Sequence, residues 1–218
     1  MTDFAAVRHN MVENQIRPNR VTDPRVIEAM EAVPRELFVP KSLRGLAYID
    51  EDLEVAPGRY LMEPMVMARL LQAAEIGPDD VVLDIGCATG YGPAVLARLA
   101  TTVVGLESDP ALAERATTLL AELGADSAAV VTGPLEAGYA AQAPYDVIVI
   151  EGAVEVVPEA ITDQLAEGGR LVCVVAGRGT VGKLTAFLRL HGAISRRTEF
   201  DAAVPPLPGF QSPPRFEF

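Results

Sequence analysis

The sequence predicts a doubly wound α/β fold, with a mostly parallel sheet, helices on both faces and an antiparallel close. Three observations carry that prediction. Residues 81–85, Val-Val-Leu-Asp-Ile, read as a strand buried on both faces, followed by a small-residue turn and a helix at Pro93. From Asp80 onward, strand and helix patterns alternate, which implies parallel pairing through right-handed crossovers. A length of 218 residues, 50% hydrophobic and 22% charged, suffices for one sizeable core.

Residues 1–76 read as an N-terminal helical cap and substrate-side segment. Phe4, Val7, Met11 and Ile16 form an apolar stripe that ends near Pro18. Thr22-Asp23-Pro24 starts a second helix with Val26, Ile27, Met30 and Val33 on one face. Residues 33–40 then break into turns. Residues 48–59 are acidic, with Asp50, Glu51, Asp52 and Glu54, and close at Pro57-Gly58. A helix resumes over 65–74, and Gly77-Pro78 stops it.

Residues 77–203 read as the ligand-binding domain. Its strands are expected at 81–85, 102–106, 128–132, 145–150 and 170–175, with Glu107 ending the second. Asp109 caps a helix whose stripe is Leu112, Ala116, Leu119, Leu120 and Leu123, and Gly124 ends it. A further helix is expected over 158–165, and residues 183–190 and 193–200 read as an antiparallel pair closing the sheet. Residues 204–218 hold five prolines and three phenylalanines and read as an extended tail on the surface.

Composition narrows the function. A net charge of −12 argues against binding phosphate backbones, which takes Lys and Arg to displace counterions. The charged N-terminal turns carry no secretory signal, and no apolar run is long enough for a bilayer. Cys87 and Cys173 read as small buried side chains in a reducing compartment, so a cytoplasmic protein is expected. His9 and His191 stand apart with no ligand-spaced neighbours, which disfavours a metal site or a histidine triad.

The turn after the first parallel strand carries the chemistry. A dinucleotide turn would read G-x-G-x-x-G, but from Gly86 the third position is Ala88 and the sixth is Tyr91. No Gly-Lys-Ser/Thr follows, so a phosphate loop fails as well. What fits is D-x-G-x-A-x-G over Asp84, Gly86, Ala88 and Gly90, with Glu107 ending the next strand. A carboxylate there can accept hydrogen bonds from two ribose hydroxyls. The pattern resembles the class I methyltransferases, a Rossmann-like fold that uses S-adenosyl-L-methionine. In that family the turn's backbone approaches the methionine part and the acid holds the ribose.

The resemblance narrows to the protein-L-isoaspartate (D-aspartate) O-methyltransferases. Val33-Pro34-Arg35-Glu36-Leu37-Phe38-Val39 is similar to their V-P-R-E-x-F-V, and Ala47-Tyr48-Ile49-Asp50 to A-Y-x-D. Residues 58–70 align with G-Q-T-I-S-x-P-x-x-V/M-A-x-M, and 82–97 with V-L-E-I-G-T-G-S-G-Y-x-x-A-V-L-A. Ala143-Pro144-Tyr145-Asp146 and residues 164–172 match A-P-Y-D and Q-L-x-x-G-G-x-L-V, so the likeness covers roughly residues 20–176. It implies transfer of a methyl group to the α-carboxyl of L-isoaspartyl residues or the side chain of D-aspartyl ones, a protein repair activity. It places cofactor contacts at Asp84, Gly86, Cys87, Ala88, Gly90, Tyr91, Glu107, Ser108, Pro134, Leu135 and Glu151, and substrate-side positions at Arg59, Tyr60 and Met62.

The chain departs from the family pattern on the substrate side. The family serine falls on Met62, its threonine on Tyr60 and its glutamine on Arg59. The G-D-G motif reads Gly133-Pro134-Leu135, and the small residues after the fourth strand become Glu151-Gly152-Ala153. Arg59 or Tyr60 can replace the missing donor, since a guanidinium fork and a phenol both bind carboxylate. Met62 can equally be core filling, Tyr60 a cover over the cofactor, and Arg59 an answer to the acids at 50–54. Glu151 reads as a base, a site for a cationic substrate or a solvated loop end. Two alternatives stay open: a methyltransferase for a different acceptor, and a non-catalytic interaction protein acting through its tail.

Overall fold

The computed structural model describes residues 2–177 and 179–212. The helices are α1 Phe4–Met11, α2 Pro24–Ala32, α3 Pro64–Ala73, α4 Tyr91–Leu96, α5 Pro110–Glu122 and α6 Glu159–Thr162. The strands are β1 Leu53–Ala56, β2 Arg59–Leu61, β3 Val81–Ile85, β4 Thr102–Glu107, β5 Ala128–Thr132, β6 Tyr145–Val154, β7 Leu165–Val175, β8 Gly182–Leu190 and β9 Ala193–Ala202. A seven-stranded sheet runs in the order β5-β4-β3-β6-β7-β8-β9, parallel from β5 to β7 and antiparallel across β8 and β9. The α/β fold with antiparallel closing strands is therefore as the sequence predicts.

Alternation along each central strand divides the core between the two sheet faces. Val82, Val103, Val147, Val149, Val172 and Val174 face one cluster, which also holds Met11, Ile27, Met30, Leu70 and Leu71 from the N-terminal helices. Leu83, Ile85, Val104, Leu106, Ile148, Ile150 and Leu171 face the other. The N-terminal helices thus share a core with the sheet. Asp109 caps α5 through the N–H groups of Ala111 (2.8 Å) and Leu112 (3.4 Å), with Pro110 at the first position.

Four expectations shift. The acidic stretch contains a small hairpin, β1 paired antiparallel to β2 across Pro57-Gly58. The first helix passes at Val12 into a π-helical turn and then a short 3₁₀ turn at Arg17–Asn19, where Pro18 ends it. The helix expected over 158–165 is only the four residues of α6, because β7 already begins at Leu165. β6 continues past residue 150 to Val154 through a bulge: Val149 pairs with Val172 and Ala153 with Val174, so residues 150–152 stand opposite Cys173 alone.

The tail departs most. Residues 204–212 run beside β6, and Ala153 bridges in parallel to Pro206. Leu207 and Phe210 are buried in the second core cluster instead of lying on the surface. The tail expectation for residues 213–218 lies outside the described residues.

Candidate cofactor and substrate site

The carboxyl ends of β3, β4 and β6 meet at one edge, where open α/β sheets bind ligands. The turn from Gly86 to Gly90 leaves β3 and enters α4. It is fastened from two sides. Gly86 N–H donates to Leu106 O at 2.8 Å, and Thr89 Oγ1 donates to Phe38 O at 2.6 Å. The ring of Phe38 meets Tyr91 edge-on, 5.5 Å between centroids and 72° between planes. Residues 33–39 therefore brace the turn from outside the sheet.

Arg35, from the same segment, is fully buried, and its role was not singled out in the sequence. Its Nε donates to Ala47 O at 2.7 Å and its Nη2 to Met62 O at 2.6 Å, while the guanidinium sits 4.9 Å from the centre of the Tyr91 ring. Burial pulls its pKa down, and the neighbouring Tyr91 and Glu151 pull it back up. Arg35 thus links residues 59–62 to the turn. Asp52 accepts from Glu63 N–H at 2.9 Å and Asp50 from Met65 N–H at 3.0 Å, so these two acids cap the start of α3.

Glu107 ends β4 with no exposed surface. Its Oε2 accepts from Ala88 N–H at 2.8 Å, and its Oε1 from the N–H groups of Ser108 (2.7 Å) and Asp109 (3.0 Å). Oε1 also receives a short hydrogen bond from Arg59 Nη1. The second arm of the guanidinium donates to Gly86 O at 3.0 Å. Arg59 therefore turns away from the acids at 50–54 and lies in the site itself, paired with the acid expected to hold the ribose.

A second polar group sits beside it. Glu151, aimed inward by the β6 bulge, faces Asp84 across Gly92, where a Cβ would overlap the Glu151 carboxyl. Glu151 Oε1 and both Asp84 oxygens are buried without a donor, although the two carboxyls lie within hydrogen-bonding reach. A proton shared between them reconciles the two observations, because two bare carboxylates have nothing to donate. Burial, reinforced for Asp84 by the Glu151 charge, raises Asp84 well above the carboxylate range. Burial also pushes Glu151 up to about 7, against the pull of Asp84, Arg59 and Arg35.

The predicted positions divide as follows. Arg59, Glu107 and Gly86 meet; Asp84, Glu151 and Gly92 meet; Tyr60, Met62 and Glu151 line one small cavity. Cys87 and Tyr91 are buried beneath the turn, and burial raises both of their pKa values. Leu135 is buried in the second core cluster with Leu207, while Pro134 is exposed. Ser108 touches the site only through Glu107. Sequence reasoning missed Leu207, whose side chain covers the turn: a Cβ on Gly86 would lie 2.8 Å from its Cδ1, and one on Gly152 3.0 Å from its Cβ. Its only signal was an apolar residue between Pro206 and Pro208. Among the described residues no group of His, Cys, Asp and Glu could hold a metal ion, and no helix is long and apolar enough to cross a membrane.

The strand order, the glycine turn and the acid closing β4 define a class I methyltransferase fold. The family model for protein-L-isoaspartate(D-aspartate) O-methyltransferase matches residues 6–203, and the chain belongs to that family of enzymes. A protein-L-isoaspartate O-methyltransferase of Koribacter versatilis is 39% identical over 97% of this chain and 95% of its own. One from Methanoculleus marisnigri is 43% identical over 78% of each. A solved protein-L-isoaspartate O-methyltransferase superposes with a TM-score of 0.80 at 25% identity, over 93% of this chain and 66% of that longer one.

S-adenosyl-L-methionine is the cofactor of this family, and the glycine turn with Glu107 would hold it. The cavity bounded by Arg59, Tyr60, Met62, Glu151 and Leu207 measures about 10 Å³. That is room for roughly one water on the substrate side.

Proposed function

We propose that the chain is a protein carboxyl methyltransferase acting on L-isoaspartyl and D-aspartyl residues from S-adenosyl-L-methionine, with a substrate side of its own. The observation that carries this reading is the convergence of the family segments on one edge: residues 33–39 brace the glycine turn and, through Arg35, residues 59–62. A substrate carboxylate with a pKa of about 4 is already ionised at pH 7, so the reaction needs no general base. What the protein must supply is orientation. The Tyr60 hydroxyl, which lines the same cavity as Met62, is the substrate-side donor we assign, with the Arg59 guanidinium beside it. The net charge of −12 supports peptide over nucleic-acid partners, and the two buried free thiols support a cytoplasmic setting.

Incubation with labelled cofactor and an isoaspartyl peptide is expected to release base-labile methanol. Release no greater than from the normal aspartyl peptide rejects the repair activity. Met62, 3% exposed, occupies the family's serine position. Met62→Ser is expected to raise isoaspartyl turnover, and unchanged turnover denies that position a part in substrate binding.

The Arg59–Glu107 pair and Leu207 over the glycine turn favour a second reading, a non-catalytic member acting as an interaction protein. It predicts no cofactor binding by calorimetry, or binding without methanol from any peptide.

A further inference from the structure

The geometry points to a cofactor site occupied by the chain itself: Arg59 holds the Glu107 carboxylate, Leu207 covers Gly86 and Gly152, and S-adenosyl-L-methionine enters only by displacing both. The inference rests on the family reading, because it concerns that family's cofactor.

Both oxygens of Glu107 already accept hydrogen bonds, and only Oε2 keeps a free lone pair. Oε1 is shared among Arg59, Ser108 and Asp109, and Oε2 accepts from Ala88. Arg59 is 48 residues away in sequence, yet its two arms span Glu107 and the Gly86 carbonyl, a forked geometry that lysine could not reproduce. Both partners are buried, so the pair is screened little by solvent.

Leu207 is equally well fixed. Its N–H donates to Ala153 O at 2.8 Å, Ala153 N–H donates to Pro205 O at 2.9 Å, and Glu155 N–H donates to Phe210 O at 3.2 Å. Residues 205–210 thus extend the edge of β6 beyond its bulge. Leu207 and Phe210 are 4% and 3% exposed, and the Leu207 side chain rests on the two glycines that keep this edge thin. The occupant is part of the same chain, so it competes at a fixed effective concentration, of millimolar order for a short tether. A cofactor must break an ion pair and detach a strap before it makes a contact of its own.

The test is calorimetry of the full chain with S-adenosyl-L-homocysteine, comparing wild type with Arg59→Gln, Leu207→Ala and the double variant. Arg59→Gln keeps the fold, because Ala88, Ser108 and Asp109 still donate to Glu107. The double variant is expected to bind at least tenfold more tightly than wild type. Equal affinity in the two, or binding by neither, overturns the proposal.

Amide exchange on the wild-type chain gives a check free of any substitution. Where that chain takes up the ligand at high concentration, the Ala153 and Leu207 amides are expected to lose protection; retained protection in the ligand-bound chain overturns the strap. Failure of the family reading looks different. The double variant would then bind S-adenosyl-L-homocysteine yet release no methanol with cofactor and isoaspartyl peptide.

Discussion

Glu107→Ala is expected to destabilise the fold by about 3–5 kcal/mol, the range for stripping one partner from a buried ion pair. The loss exceeds that of an ordinary hydrogen bond for two reasons. Arg59 would remain as an unpaired cation, its side chain only 7% exposed. The N–H groups of Ala88, Ser108 and Asp109 would also lose their acceptor, with nothing else placed to receive them. For a chain of this size, each kcal/mol moves Tm by about 2–4 °C, so the variant should melt roughly 6–20 °C below wild type. A double-mutant cycle separates the pair from the backbone contacts. Adding Arg59→Met to Glu107→Ala should recover part of the loss, since it removes the stranded charge. Strictly additive effects in urea unfolding would show that the two side chains are not coupled.

The same geometry shows which parts of the molecule were legible in the sequence. β3, β4, β6 and β7 announce themselves as apolar runs, because both sheet faces are covered and each strand must be apolar on two sides. The turn and Glu107 were legible because cofactor edges use small residues and acids at fixed offsets. The hairpin of β1 and β2 was not, since strands of four and three residues leave no periodicity to read. The length of β6 was hidden by its bulge, which adds residues without changing composition.

The contents of the site were hidden for a different reason. Arg59 with Glu107, Asp84 with Glu151, and Leu207 with Gly86 are pairs made only by folding, between segments distant in the chain. Local pattern placed each residue at the correct edge. It could not say that Arg59 would face Glu107 and leave the nearby acids to cap α3. Proline spacing suggested an extended tail, but nothing in the spacing showed that Leu207 and Phe210 turn inward.

The carboxyl pair gives the second large effect, a stability that falls as pH rises. An unfolded glutamate titrates near 4.3, while Glu151 in the fold is pushed up to about 7 by burial, with Asp84 raised alongside it. Below about pH 4 both states hold the proton, and the pair imposes no penalty. Between about pH 4 and 7 the folded state retains a proton that the unfolded state has released, so stability falls with pH across that window. Above it the share of Glu151 levels off, at a size on the order of 3 kcal/mol, while Asp84, raised well above the carboxylate range, continues the fall. The facing groups fix the direction: Arg59 and Arg35 favour the ionised form, Glu107 opposes it, and burial outweighs both cations. Because the two acids share one site, the transition belongs to the pair and not to either residue. Glu151→Gln should remove the share of Glu151 and leave that of Asp84, a group raised first by its own burial. Its amide can donate to Asp84, which replaces the shared proton with a permanent hydrogen bond and leaves a single buried acid. The variant is therefore expected to match wild type near pH 4.5 and to exceed it at pH 8, with a flatter curve of Tm against pH. Parallel curves for the two proteins would show that Asp84 and Glu151 do not hold a proton between them.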